Sequence, residues 1–266
     1  MLLLMAKTSE SGLRIHVFLA RLGLGSRREI EALIEAHKVQ VNGRRATLGQ
    51  KIQPEVDRIR LKGKEVYVPR SPRKSTVLAF HKPRGVLSTK SDPERRTTIM
   101  DFLPRSAKSL FPVGRLDLNS EGLILLTNDG ELALRLTHPR YEVSKVYEVK
   151  IRGNLTDKKI KHLERGVLVE NEKYKPAEIL SIHDVTKFGV KKFTVVIKVF
   201  EGKNHHVRKL FEALACHVIR LKRISMGSIS LKGIPRGEYR VVSDSKIRKL
   251  REEFGLQEEA SSQRAS

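Results

Sequence analysis

The apolar positions divide the chain into two stretches with different rhythms. From Leu13 onward, Ile15, Phe18, Leu19 and Leu22 recur at the three-and-four spacing of one helix face, until Gly23 and Gly25 interrupt it. Ile30, Leu33 and Ile34 repeat that spacing behind Ser26 and Glu29, which stand three apart as a capping box requires. Val39 and Val41 alternate into Asn42-Gly43, a dipeptide that supplies the positive backbone angles of a tight turn. Past residue 76 the pattern turns to strands. Residues 77–80 and 123–126 are short apolar runs, the second followed by a turn at 128–130 and a helix at 131–136. Residues 143–151 alternate and set Lys145, Tyr147 and Val149 on one face; residues 177–183 and 193–200 are further strands. Helices are predicted over 156–166, ended by Gly166, over the face made by Val207, Leu210, Phe211 and Leu214 behind a cap at Asn204, and over 245–254. Strands with isolated helices and no regular alternation of the two predict an α+β fold.

The punctuation gives the organisation. Residues 69–75 (Pro-Arg-Ser-Pro-Arg-Lys-Ser) contain no apolar residue except the prolines, the composition of a semi-extended linker. The expected layout is therefore a small helix-rich module over 11–70, a linker over 71–75, a larger domain over 76–250 and a polar, disordered tail over 251–266. The opening Met-Leu-Leu-Leu-Met is too short for a signal-peptide core or a membrane span and reads as a frayed start. Residues 87–110 are polar and basic, and a loop of that length beside a candidate site predicts substrate contact.

Charge narrows the partner. Among 266 residues, 53 Lys plus Arg stand against 30 Asp plus Glu, a net +23, while 39% hydrophobic residues suffice for a core. A polyanion is implied, and nucleic acid leads over a membrane surface because neither a basic amphipathic helix with a broad apolar face nor a lipidation signal is present. Residues 11–75 hold 15 Lys plus Arg and 6 Asp plus Glu, so the first module is itself basic. Arg27 and Arg28 sit at the start of a helix, where positive charge opposes the helix dipole and a bound anion would compensate it; two solvated arginines are the alternative. Arg44 and Arg45 follow the Asn-Gly turn. The single cysteine, Cys216, in an apolar context, reads as a small buried hydrophobe in a reducing cytoplasm. His205, His206 and His217 have no carboxylate or thiol at ligand spacing, so no metal site is predicted. Glycine motifs for dinucleotides or phosphates are also missing, so no cofactor is expected.

One carboxylate stands out. In residues 111–130 Asp117 follows Gly114-Arg115-Leu116 and precedes Ser120-Glu121-Gly122 and the buried run, which puts it on a loop held by packed elements. From these residues alone Asp117 is a turn residue, a partner for Arg115, or the fixed acid of a site.

The string Gly-Arg-Leu-Asp followed by Ser-Glu-Gly-Leu-Ile-Leu-Leu-Thr-Asn-Asp-Gly resembles the catalytic motif of the RsuA/RluB family of bacterial ribosomal RNA pseudouridine synthases. His81-Lys-Pro-Arg-Gly-Val86 resembles that family's entry to the catalytic domain, with Lys82 and Arg84 either facing RNA or forming a solvated turn rim. Gly25-Ser-Arg-Arg-Glu-Ile30 with Val39-Gln-Val-Asn-Gly43 resembles the S4-like RNA-binding module often joined to it. The resemblance implies a catalytic domain on a mixed, mainly antiparallel sheet with flanking helices, and Asp117 as nucleophile. It also implies that Tyr147, in a Lys-X-Tyr motif with Lys145, stacks on the target uracil, and that Arg208, in Asn-His-His-Val-Arg-Lys, pairs with Asp117. Leu221 lines the uracil pocket by the same resemblance, and Arg115 joins Lys145 among the substrate contacts. His205-His206 departs from the arginine and glutamine or glutamate of many relatives. The expected activity is isomerisation of one uridine, in large-subunit rather than small-subunit ribosomal RNA, by a cytoplasmic monomer. A non-catalytic RNA-binding assembly protein is the rival reading.

Overall fold

The computed structural model describes residues 12–68 and 74–256 and divides into two compact units between Lys74 and Ser75. The proposed linker lies mostly outside the described residues, as do the opening Met-Leu-Leu-Leu-Met and positions 257–266.

The first unit runs β1 (Leu13–Arg14), α1 (Ile15–Arg21), α2 (Arg27–Glu35), β2 (Val39–Val41), β3 (Arg44–Arg45), β4 (Lys51–Ile52), β5 (Ile59–Leu61) and β6 (Lys64–Glu65). The Ser26–Glu29 capping box forms at the start of α2, with the Ser26 hydroxyl accepting from the Glu29 N–H. Asn42 and Gly43 take φ of 50° and 80° in the β2–β3 turn, the pair of positive angles that Asn-Gly favours. Ile15, Leu19, Ile30, Ile34, Val39 and Ile59 form its core.

The second unit continues with β7 (Val77–Lys82), β8 (Phe111–Val113), β9 (Glu121–Thr127), α3 (Gly130–Thr137), β10 (Lys145–Arg152), α4 (Asp157–Arg165), β11 (Leu168–Val169) and β12 (Glu172–Lys173). It then passes through β13 (Glu178–Asp184), β14 (Lys192–Val199), α5 (His206–Glu212), β15 (His217–Met226), β16 (Ile229–Ser230), β17 (Tyr239–Val241) and α6 (Asp244–Glu253). The main sheet has the order β13-β14-β10-β15-β9-β7-β17, with β16 beside β15 and β8 beside β9. Every pairing is antiparallel except β9 with β15. The α+β expectation and the mixed, mainly antiparallel sheet with flanking helices are both observed.

β7 and β9 are buried on both faces, which explains why residues 123–126 read as an unbroken apolar run. Ile124 and Leu126 enter one core with Phe80, Val149 and Phe211, whereas Leu123 and Leu125 enter another with Leu132, Leu136, Ile247 and Leu250.

Three expectations are corrected. Residues 99–109 are two short 3-10 turns whose Ile99 and Ala107, with Leu110 just beyond, are buried; only about 88–97 project as a loop. The cap of α5 is His205, at φ 52°, and not Asn204. The disordered tail does not begin at 251: Leu256 is buried in the second core and Arg251 pairs with Asp129, so the apolar side chain at 256 ties down the polar stretch before it.

Candidate active site

Asp117 sits between β8 and β9 on a loop in which every consecutive main-chain oxygen from 116 to 120 has a donor. The Ser88 hydroxyl donates to Leu116 O at 2.7 Å and accepts from the Leu116 N–H at 3.1 Å. The Lys82 ammonium donates to Asp117 O at 3.1 Å and to Ser120 O at 2.8 Å, and its third bond goes to Pro83 O at 3.0 Å. The Gly85 N–H donates to Leu118 O at 2.8 Å, and the Ser120 N–H closes a turn on Asp117 O at 3.0 Å. Arg208 reaches Asn119 O and Val218 O from α5, both at 3.4 Å. A loop with this much of its backbone satisfied by outside groups presents its side chain in a fixed direction.

The carboxylate itself is about one-third exposed. The Ser120 hydroxyl lies 3.4 Å from Asp117 Oδ2 and His205 Nδ1 lies 3.3 Å from the same oxygen.

Downstream, the loop is anchored by a close approach of two backbones. Gly122, at φ 110°, is registered against Arg223 in the parallel β9–β15 pair, and a Cβ on Gly122 would stand 2.3 Å from Arg223 O. Only glycine permits this junction. Arg223 is itself buried, with Nε donating to Leu123 O at 2.7 Å. It is registered across β15 against Tyr147, so Gly122, Arg223 and Tyr147 form one row over three adjacent strands. Tyr147, Leu116 and Leu221 belong to a single apolar cluster, which joins the residue before Asp117 to the aromatic ring. Glu121, next to Gly122, is buried and receives Nε of Arg220 at 2.6 Å.

The candidate residues separate into those brought to this place and those that are not. Leu116, the neighbour of Asp117, lies in the same apolar cluster as Tyr147 and Leu221, and Arg115 and Arg84 are exposed, without ion-pair partners among the described residues. The expected pair between Arg208 and Asp117 does not form. The guanidinium is engaged by main-chain oxygens on either side, and the side chain that meets the carboxylate from this segment is the His205 imidazole, with Nδ1 at 3.3 Å. Lys82 does not face RNA: it has no solvent exposure, and burial pulls its pKa from 10.5 down to about 8 against the opposing pull of Asp117 and Glu121. Lys145 is likewise buried, donates to Val143 O at 2.9 Å, and has a pKa lowered to about 8 by burial and by Arg223. In the first unit Arg27, Arg28, Arg44 and Arg45 are exposed and form no ion pair among the described residues.

Ser88 and Arg223 have no role in the sequence reading, and Gly85 and His205 enter it only as members of motifs, without the contacts they make here. A glycine behind Lys-Pro-Arg was a usable signal for Gly85, and His205 was visible only as a departure from relatives. Nothing local marks Ser88 or Arg223.

A small basic module followed by a mixed sheet, with one half-buried aspartate on a fixed loop, is the arrangement of an RNA-modifying enzyme. Residues 76–213 match the family described as RNA pseudouridylate synthase, and residues 13–57 match the S4 domain. The chain belongs to the RNA pseudouridylate synthase family and is an RNA pseudouridine synthase. It is 42% identical to ribosomal large subunit pseudouridine synthase B of Escherichia coli (strain K12) over 254 residues, covering 94% of this chain and 86% of the relative. It is 43% identical over 232 residues to the protein of the same name from Yersinia pestis, covering 86% and 72%. A crystal structure of a pseudouridylate synthase superposes with a TM-score of 0.62 at 27% identity, covering 90% of this chain and 99% of that one.

Proposed function

We propose that this enzyme converts one uridine of large-subunit ribosomal RNA to pseudouridine, with Asp117 as the nucleophile. The observation that carries the reading is the Asp117 loop, with five consecutive carbonyls held and the carboxylate left open to solvent. The reaction breaks the bond between ribose C1′ and uracil N1, turns the base and rejoins C1′ to C5, after which the C5 proton moves to solvent and N1 is left protonated. No electrons are exchanged with a partner, so a carboxylate nucleophile suffices. The uridine must first leave its stack, which costs a few kcal/mol, and Tyr147 offers an aromatic face that offsets part of it. Leu221 and Leu116 supply the apolar wall.

Arg208 acts in this reading as a positioning residue, holding Asn119 two positions from the nucleophile. Arg115 and Arg84 take RNA phosphates at the rim, and Arg27, Arg28, Arg44 and Arg45 do so on the first module. The net +23 supports a polyanionic substrate. The large-subunit target rests on the names of relatives above 40% identity. The single, buried Cys216 supports work in a reducing cytoplasm, and the enzyme is taken to act as a monomer. Mapping pseudouridines in both ribosomal RNAs from a strain lacking the gene tests the assignment: loss of one large-subunit position is expected, and loss of a small-subunit position instead would overturn it.

A further inference from the structure

The hairpin joining β13 to β14 ends in a turn that the fold does not explain. Lys187 and Val190 bridge across it, and its two central residues, Phe188 and Gly189, take φ of 51° and 71°. Two positive angles in succession define a turn that selects Asn-Gly, and a bulky aromatic ring at the first position is disfavoured. The Phe188 ring is also 100% exposed, so it gains no packing in return. Its surroundings are basic. Lys187 and Lys191 are exposed on either side, and the one acid in the hairpin turn, Asp184, is held ionised by its hydrogen bonds with Thr186 and, to a lesser extent, by the charge of Lys191. Just below the tip Lys192 is registered opposite Arg152 on the sheet face turned away from Tyr147, a like-charge pair across strands that is destabilising by itself.

A strained, solvent-exposed aromatic ring among four cations matches single-stranded nucleic acid, whose bases stack on such rings while phosphates take the charges. We infer that the β13–β14 hairpin tip is a second RNA-contact surface, in which Phe188 stacks on an unpaired base and Lys187, Lys191, Lys192 and Arg152 bind the phosphates around it. The site of chemistry is elsewhere. Tyr147 pairs with Ile197 and Arg152 with Lys192, so five residue steps, roughly 17 Å, separate the base of the tip from the tyrosine. The tip therefore grips RNA flanking the target and not the target uridine. This inference rests on the reading of ribosomal RNA as substrate.

The test compares wild type with Phe188→Ala and with Phe188→Asn, which suits the turn and guards against a folding defect. Each is titrated with a minimal stem-loop carrying the target uridine and with a long ribosomal RNA fragment around it. Both variants should weaken binding of the long fragment at least about fivefold, the low end of one lost stacked base. Affinity for the minimal stem-loop and kcat at saturating RNA should not change, and Phe188→Asn should melt no lower than wild type. Lys187→Ala with Lys191→Ala should flatten the salt slope for the long fragment by roughly 1.4 to 1.8 log units per log unit of salt. Unchanged affinity for the long fragment overturns the inference, as does a loss confined to binding of anionic phosphatidylglycerol vesicles, which would make the tip a membrane contact. A wild-type protein that binds the fragment but never isomerises it contradicts the functional reading alone.

Discussion

The Lys82 ammonium donates to the main-chain oxygen of Asp117 at 3.1 Å while the lysine is wholly buried. A charge that reads as a surface contact in the sequence is an internal strut, and it ties the end of β7 to the loop of the acid. With Gly85, Ser88 and Arg208 it turns the seven-residue connection between β8 and β9 into a rigid mount.

Replacing that strut tests the mount. Lys82→Met strands the oxygens of Pro83 and Ser120 and weakens the hold on that of Asp117, and a displacement of the acid by about 1 Å can cost 100-fold in rate. A single-turnover rate reduced by about that factor, with RNA affinity close to wild type, is expected. An unchanged rate would show that the loop holds its shape without the amine.

Arg208 behaves differently from a partner of the carboxylate. Its bonds to Asn119 O and Val218 O, at 3.4 Å, are long, so Arg208→Ala should lose no more than about 1 kcal/mol of stability. In a double-mutant cycle with Asp117→Ala the stability coupling should stay below about 0.5 kcal/mol. Denaturant titration of the four proteins decides it, and coupling above about 1 kcal/mol would restore the direct pair.

How much of this was legible depends on distance along the chain. Asp117 was readable because Gly114, Gly122 and the run at 123–126 surround it locally. Gly122 was recognisable as a close approach, but its partner Arg223 lies 101 positions on and carries no local sign of the β9–β15 pairing. The burial of Lys82 is not legible in the sequence because a lysine defaults to the surface, and only tertiary contacts reveal carbonyls that receive a buried amine; the shared face of Lys145, Tyr147 and Val149 is legible, and all three are buried. The helix and strand rhythms survived because each reflects one buried face.

Lys145 predicts an unusual pH response. The unfolded chain keeps this proton to about 10.5 and the folded one only to about 8, so wild-type stability should rise with pH between those values. Lys145→Met removes the buried charge and should be more stable than wild type at pH 7, by at most about 3 kcal/mol, with the advantage shrinking toward pH 10. Urea titrations at pH 7 and 9.5 check this; a constant difference would mean that the amine does not titrate in that window.

His206 gives the acid counterpart. Its ring is buried, stacked 4.9 Å from Tyr174, and neither nitrogen has a hydrogen-bond partner among the described residues. Burial lowers its pKa from 6.5 to about 4, partly opposed by Glu201. The unfolded chain therefore takes up the proton first, and stability should fall as pH drops from 6.5 to 4. His206→Phe keeps the ring against Tyr174 and should remove this contribution, at most about 3 kcal/mol. Equal acid sensitivity in both proteins would assign the loss to other groups.

If the fixed carboxylate of Asp117 is the nucleophile, Asp117→Asn is inactive, because the amide keeps shape and size while removing the charge. The measurement is pseudouridine formed in large-subunit ribosomal RNA under single-turnover conditions, with RNA affinity and melting temperature determined on the same samples. No pseudouridine above background is expected from a variant that folds and binds as wild type does. Pseudouridine formed by that variant at a rate near wild type would contradict it.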